Sequence, residues 1–147
     1  MPILKDIKKH KLILDTHVLI WVMTGNSMIK EHFRKNLKIA LHDNRVLIST
    51  LSFWEIGMLV QKNRISLDMD PMEWANQVLE TEGLQTCDLT PEIAINSTRL
   101  CGEVHGDPID RMLIASAQEE NATLVTCDSK ILEYGKSNLL SVHNPTK

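Results

Sequence analysis

Leu12-Ile13-Leu14-Asp15 is the stretch from which the fold can be read. Three apolar residues without alternation suit a short parallel strand covered on both faces. The run stops at a carboxylate, so the strand carries Asp15 from the core to the rim of a sheet. The pattern returns along the chain. Val46-Leu47-Ile48-Ser49 reads as a second strand, Leu84 to Asp88 as a third, Thr123 to Cys127 as a fourth ending at Asp128, and Leu139 to Val142 as a last. Helical stretches lie between them. Val18 to Met23 reads as a short, largely buried helix interrupted by Gly25-Asn26-Ser27. Residues 28–42 read as a surface helix, with Phe33, Leu37 and Leu41 spaced along a basic background and an Asp43-Asn44 turn behind it. Ser52 opens a helix to about Lys62, because Ser52-Phe53-Trp54-Glu55 has the spacing of a capping box. Asp70-Pro71, Thr90-Pro91 and Asp107-Pro108 each start a helix. The first sets Trp74, Val78 and Leu79 on its apolar side; the second runs to about Cys101 and the third to about Glu119. Strands alternating with helices make an α/β domain with a parallel sheet.

The bulk numbers narrow the class. A chain of 147 residues, 43% hydrophobic and 24% charged, is an ordinary globular domain and not a disordered one. With no repeat, low-complexity tract or linker it reads as one domain over residues 1–147, with a lysine-rich extension at 1–11. The longest apolar run, Val18 to Met23, is six residues, against roughly 20 for a membrane span. Lys5, Lys8, Lys9 and Lys11 flank no stretch apolar enough for a secretory signal. Cys87, Cys101 and Cys127 form an odd set without C-x-x-C spacing, which argues against a disulfide framework and fits a reducing cytoplasm. The net charge of −3 means that a nucleic-acid partner would need local basic patches or bound cations. The N-terminal lysines and Arg34, Lys35 and Lys38 are candidate patches, although such charge runs are more often solvated faces.

Sites in open α/β sheets lie outside the carboxyl ends of the strands. The acids at those places are Asp15, Glu55 in the first turn after the second strand, Asp107 and Asp110 at a helix start, and Asp128. Each has a structural use. Asp15 and Asp128 suit helix caps, Glu55 suits the N3 partner of Ser52, and Asp107 suits an N-cap ahead of Pro108. Capping alone does not require these acids to share one rim. Carboxylates brought together repel and raise one another's pKa. A hard divalent cation such as Mg²⁺ relieves that repulsion, so the joint pattern favours a metal site. Of the two acids in Asp107-Pro108-Ile109-Asp110, the second is free to point outward and is the expected ligand, while Asp107 is first a cap. Arg111 reads as a surface or ion-pair residue, with a phosphate contact as the alternative.

These segments resemble the PIN-domain ribonucleases. Leu12 to Trp21 is similar to the family's opening, Ile48 to Ile56 to its second block, and Leu124 to Asp128 to its fourth. His105-Gly106-Asp107-Pro108-Ile109-Asp110-Arg111 to Ala115 is similar to its third, in the form found in VapC-type toxins. The blocks stand in family order. The resemblance implies an α/β/α sandwich around a parallel sheet and RNA cleavage dependent on Mg²⁺ or Mn²⁺. It implies that Asp15, Glu55, Asp110 and Asp128 are the acidic quartet and that Thr126 matches a hydroxyl residue near the site. Many members carry Asn where His17 stands and their fourth acid a few residues later than Asp128. The resemblance also implies a toxin of a toxin–antitoxin pair, with RNA as substrate, a small antitoxin as partner, and a homodimer.

On this reading Asp15 and Asp110 hold a first ion, and Glu55 and Asp128 hold a second, orient the water or accept its proton. Rival chemistries lack their residues. An aspartyl phosphatase wants Asp at position 17, where His stands; there is no G-x-S-x-G elbow and no H-E-x-x-H. The remaining alternative is a PIN-fold interaction domain without catalysis, against which retention of the acids argues. His17 and His105 read as structural or solvated, because no second His stands at metal-ligand spacing. Trp21, Trp54, Trp74 and Met58 read as core or subunit interface rather than base-stacking platforms. Met58 and Leu59 are candidates for lining a groove that takes a partner helix.

Overall fold

The computed structural model describes residues 7–104 and 106–147. Lys5 and the rest of residues 1–6, and His105, lie outside the described residues, so the readings of the first half of the extension and of His105 are not addressed. Among the described residues five strands, β1 (Leu12–Leu14), β2 (Val46–Ser49), β3 (Leu84–Cys87), β4 (Thr123–Val125) and β5 (Val142–His143), form one sheet in the order β3-β2-β1-β4-β5. All pairings are parallel, with Ile13 opposite Leu47 on one side and Leu124 on the other. The helices are α1 (Thr16–Thr24), α2 (Glu31–His42), α3 (Thr50–Gln61), α4 (Pro71–Leu79), α5 (Pro91–Ser97), α6 (Pro108–Glu119) and α7 (Ser129–Gly135).

The alternation of strand side chains divides the core in two. Leu12, Leu14, Val46 and Ile48 pack with Val18, Phe33, Leu37, Ile56, Trp74 and Val78, which come from α1 to α4. Ile13, Leu47 and Leu124 face the other way, onto Ile93, Leu113, Ile114, Ile131 and Tyr134 of α5 to α7. The result is the expected three-layer α/β/α sandwich. The central run Leu12–Leu14 is at most 1% exposed; each such side chain contributes roughly 1.5–3 kcal/mol by burial. Strand order reverses between β1 and β4, so the loops beyond their carboxyl ends part and leave a crevice. Asp15 and Asp128 stand there.

Several boundaries differ from the sequence reading. α3 starts at Thr50, not at Ser52: Ser49 is at once the last residue of β2 and the N-cap, its Oγ accepting from the Leu51 N–H at 3.1 Å. The Ser52–Glu55 capping box is therefore not formed, and Glu55 lies on the second turn. α2 starts at Glu31, because the Asn26 side chain takes the Met28 N–H at 2.8 Å and keeps that segment in a turn. α5 stops at Ser97, where Ser97 and Thr98 hydroxyls bond back to the Ala94 and Ile95 carbonyls at 2.6 Å. β5 is Val142–His143 and not residues 139–142, since its register is set by Leu124 opposite Val142. Leu79 is exposed, while Trp74 and Val78 are buried.

Candidate active site

Each acid reaches the crevice for a local reason. Asp15 follows β1 and is the N-cap of α1; its Oδ1 accepts from the Val18 N–H at 2.8 Å. Its Oδ2 accepts from the hydroxyl of Thr126, and its own N–H donates to the Val125 carbonyl at 3.0 Å. Capping and rim placement thus coexist, because a carboxylate has more lone pairs than the cap consumes. Thr126 is fully buried, and its Oγ1 also accepts from the Asp128 N–H at 3.0 Å. Asp128 caps α7, with Oδ1 accepting from Lys130 and Ile131 N–H groups at 2.9 and 3.0 Å. Asp107 caps α6, its Oδ1 taking the Ile109 and Asp110 N–H groups at 2.9 and 3.1 Å, which is the role the sequence assigned it. Asp110 follows in the first turn of α6. Glu55 takes no capping role. A buried hydrogen bond from Thr16 Oγ1 to Ser52 Oγ at 3.0 Å ties the start of α1 to the α3 turn that precedes Glu55.

Asp15, Glu55, Asp110 and Asp128 line one pocket of about 310 Å³, together with Asp107, Thr16, His17, Trp21, Leu113 and Cys127. The electrostatics agree with that convergence. Burial pushes the Asp110 carboxyl up from 3.8 to about 7, helped by the negative charges of Asp107, Asp128, Glu55 and Asp15. Asp15, 7% exposed, is also raised by burial; hydrogen bonds from Thr126 and Val18 and the nearby His17 oppose the rise, and Glu55 adds to it.

The residue types fit a hard divalent cation. Among the described residues no group of three His, Cys, Asp or Glu side chains forms a ready-made cage. Mg²⁺ does not ask for one, since it keeps several waters and takes one or two carboxylates. A crevice in which burial and neighbouring carboxylates raise Asp110 and Asp15 supplies such oxygens and gains from a positive charge.

Two pocket residues were read from sequence without a place in the site. His17 is exposed, as a solvated reading has it, and also lines the pocket; Trp21 is half-buried, packing against the core cluster while lining the pocket as well. Their signal was present: positions 17 and 21 are one helical turn apart, next to Asp15. Of the other tryptophans, Trp74 is core as expected, whereas Trp54 is 59% exposed. Arg111 is turned to the backbone, Nε donating to the Ser97 carbonyl at 2.9 Å and a terminal nitrogen to that of Val104 at 3.3 Å.

The comparisons agree with this architecture. The model of the PIN domain family matches residues 12–137. Ribonuclease VapC22 of Mycobacterium tuberculosis is 27% identical over 123 residues, covering 84% of this chain and 91% of its own. A chain of the crystal structure of VapBC2 from Rickettsia felis bound to a DNA fragment from their promoter superposes with a TM-score of 0.68 at 21% identity, over 90% of this chain and 97% of that one. A chain of DNA-bound VapBC from Salmonella typhimurium gives 0.62 at 22% identity, over 91% and 97%.

Proposed function

Because this chain belongs to the PIN domain family, matched over residues 12–137, we propose that it is a ribonuclease of the VapC kind. It hydrolyses RNA phosphodiester bonds with Mg²⁺ or Mn²⁺ held by Asp15 and Asp110, assisted by Glu55 and Asp128. The observation that carries this reading is the convergence of the four carboxylates on one pocket at the reversal of strand order. The relative named a ribonuclease, aligned over most of both chains, supports the substrate class.

When bound, the ion lowers the pKa of a water and neutralises charge on a phosphate oxygen. The side chains do the rest. In hydrolysis a water oxygen bonds to phosphorus, the bond to the leaving oxygen breaks, and the water's proton must be accepted. Glu55, half-buried and free of capping duty, is the side chain placed to orient that water or take its proton. Thr126 fixes the Asp15 carboxylate, and the same hydroxyl ties it to the Asp128 backbone. Asp128 lines the pocket while its Oδ1 caps α7.

The reading extends to partners. One of the similar structures is a toxin–antitoxin complex from Klebsiella pneumoniae, and this chain is proposed to pair with a small antitoxin and with a second copy of itself. Leu59 packs against the core, but Trp54 and the half-buried Met58 lie one turn apart on α3 outside it, an apolar strip suited to a partner helix. Among the described residues no helix is long and apolar enough to cross a membrane. The three free cysteines fit a reducing cytoplasm. Single-turnover cleavage of RNA, with Mg²⁺ and with chelator, tests the enzymatic reading against a PIN fold that only binds.

A further inference from the structure

Resting on the reading of RNA as substrate, we propose that His17 and Trp21 on α1 are the platform on which an unpaired base beside the scissile phosphate stacks. Both side chains line the pocket that holds the four carboxylates. They stand four positions apart, one above the other on the same helix face. Trp21 lies roughly 9 Å along the axis of α1 from Asp15, a distance that one nucleotide spans from its phosphate to the far side of its base.

The indole is a rigid platform. It is half-buried and packs against the core cluster on the α1–α4 side of the sheet. The Trp21 carbonyl accepts from the N–H groups of Gly25 and Asn26, the latter at 2.9 Å, so the helix end beneath it is locked. Gly25 makes this cap with a left-handed backbone, φ 69°. Among Trp, Tyr and Phe side chains Trp21 alone lines the pocket. Phe33, Trp74 and Tyr134 are buried, Phe53 packs on the core, and Trp54 lies outside it.

The chemistry selects an unpaired nucleotide. Within an A-form duplex the base faces are covered by their neighbours, and what remains open is shape, phosphate and 2′-hydroxyl. A pocket of about 310 Å³ is at the small end of ligand sites. It suits one splayed nucleotide, with its phosphate toward the acids and its base against the indole. Base–aromatic stacking tolerates any sequence, since every base has a π-face. Trp21 therefore selects unpaired over paired RNA rather than one base over another.

The test titrates a short, 5′-labelled unpaired RNA, and the same strand annealed to its complement, against the Asp110→Asn protein in Mg²⁺. Trp21 is kept, changed to Phe or changed to Leu. Trp21→Leu is expected to weaken binding of the unpaired strand by roughly tenfold to a hundredfold. Trp21→Phe should restore most of it, and the duplex should bind weakly to all three. In the protein with Asp110 intact, Trp21→Leu should raise KM with little change in kcat. His17→Ala removes an exposed ring without touching the core, so it keeps the test valid if Trp21→Leu does not fold; it should cost several-fold. Equal binding by Trp21→Leu, an unchanged His17→Ala, or a Phe variant as deficient as Leu would overturn the platform. Trp21-dependent binding without cleavage by the unaltered protein would support the platform and remove the ribonuclease reading. Cleavage indifferent to Trp21 would remove the platform alone.

Discussion

The hydroxyl of Thr126 donates to the Asp15 carboxylate 111 residues away, and the same oxygen accepts from the Asp128 N–H at 3.0 Å. One buried side chain thus locks the acid after β1 to the acid after β4, across the boundary where strand order reverses. Thr126→Val keeps the shape and removes both bonds. The account predicts a stability loss of about 1–3 kcal/mol and a fall in cleavage of roughly tenfold to a hundredfold, the usual cost of losing a group that orients a ligand. Thr126→Ser should recover most of both. Melting curves and single-turnover rates on the three proteins check this.

Stability without metal should fall as the pH rises. Folding raises the Asp110 carboxyl from 3.8 to about 7, and Asp15 is raised as well. An acid raised in this way contributes its full stability below 3.8, where both states are protonated, and loses it as the pH climbs through about 7. The loss attributable to Asp110 is on the order of 2 kcal/mol, about half of what the whole displacement is worth, because the side chain keeps some contact with water. Denaturant unfolding in chelator between pH 4 and 8 should show this decline, and Asp110→Asn should flatten it.

Millimolar Mg²⁺ or Mn²⁺ should offset that decline. A ligand at a hundredfold excess over its Kd, bound only by the folded chain, adds about 2.7 kcal/mol. The melting temperature of the unaltered protein should rise with metal at neutral pH, and that of Asp15→Asn should rise less. In chelator Asp15→Asn should melt no lower than the unaltered protein, since the amide oxygen can still accept from Val18 and the buried charge is gone. Asp15→Ala should melt lower, by about 0.5–2 kcal/mol, for want of a cap.

Asp107 and Asp110 should separate cleanly. Serine can cap α6 in place of Asp107 at little cost, so Asp107→Ser should keep most activity. Asp107 also raises the Asp110 carboxyl, so the acidic limb of the pH–rate profile should move to lower pH in that variant. Asp110→Asn should lose activity by several orders of magnitude. Rate profiles of both, measured between pH 5 and 8, decide whether the roles are assigned correctly.

The centre of the sheet was legible because β1, β2 and β4 carry short apolar runs that stop at a polar residue, as Leu12-Ile13-Leu14-Asp15 does. Its two faces follow from alternation within runs of only three or four residues. The acids were legible for the same reason: parallel strands deliver their ends to one rim. What sequence concealed was local competition. Ser49 and Ser52 are both fit to cap α3, and the S-x-x-E spacing favours the second. β2 passes into α3 without a loop, so the first takes the cap and Ser52 is left to meet Thr16. Trp21 and Trp54 both sit in apolar stretches. Only the packing of α1 beside the crevice, and of α3 with one face outward, distinguishes a pocket wall from an exposed surface.

The most direct measurement is cleavage mapping on total RNA with the unaltered protein and Asp15→Asn, each in Mg²⁺ and in chelator. The account predicts defined cuts for the unaltered protein in Mg²⁺, none in chelator, and none for a folded Asp15→Asn. A folded Asp15→Asn that cuts at the same positions and rate, or an unaltered protein that leaves every RNA intact in Mg²⁺ and Mn²⁺, would contradict it.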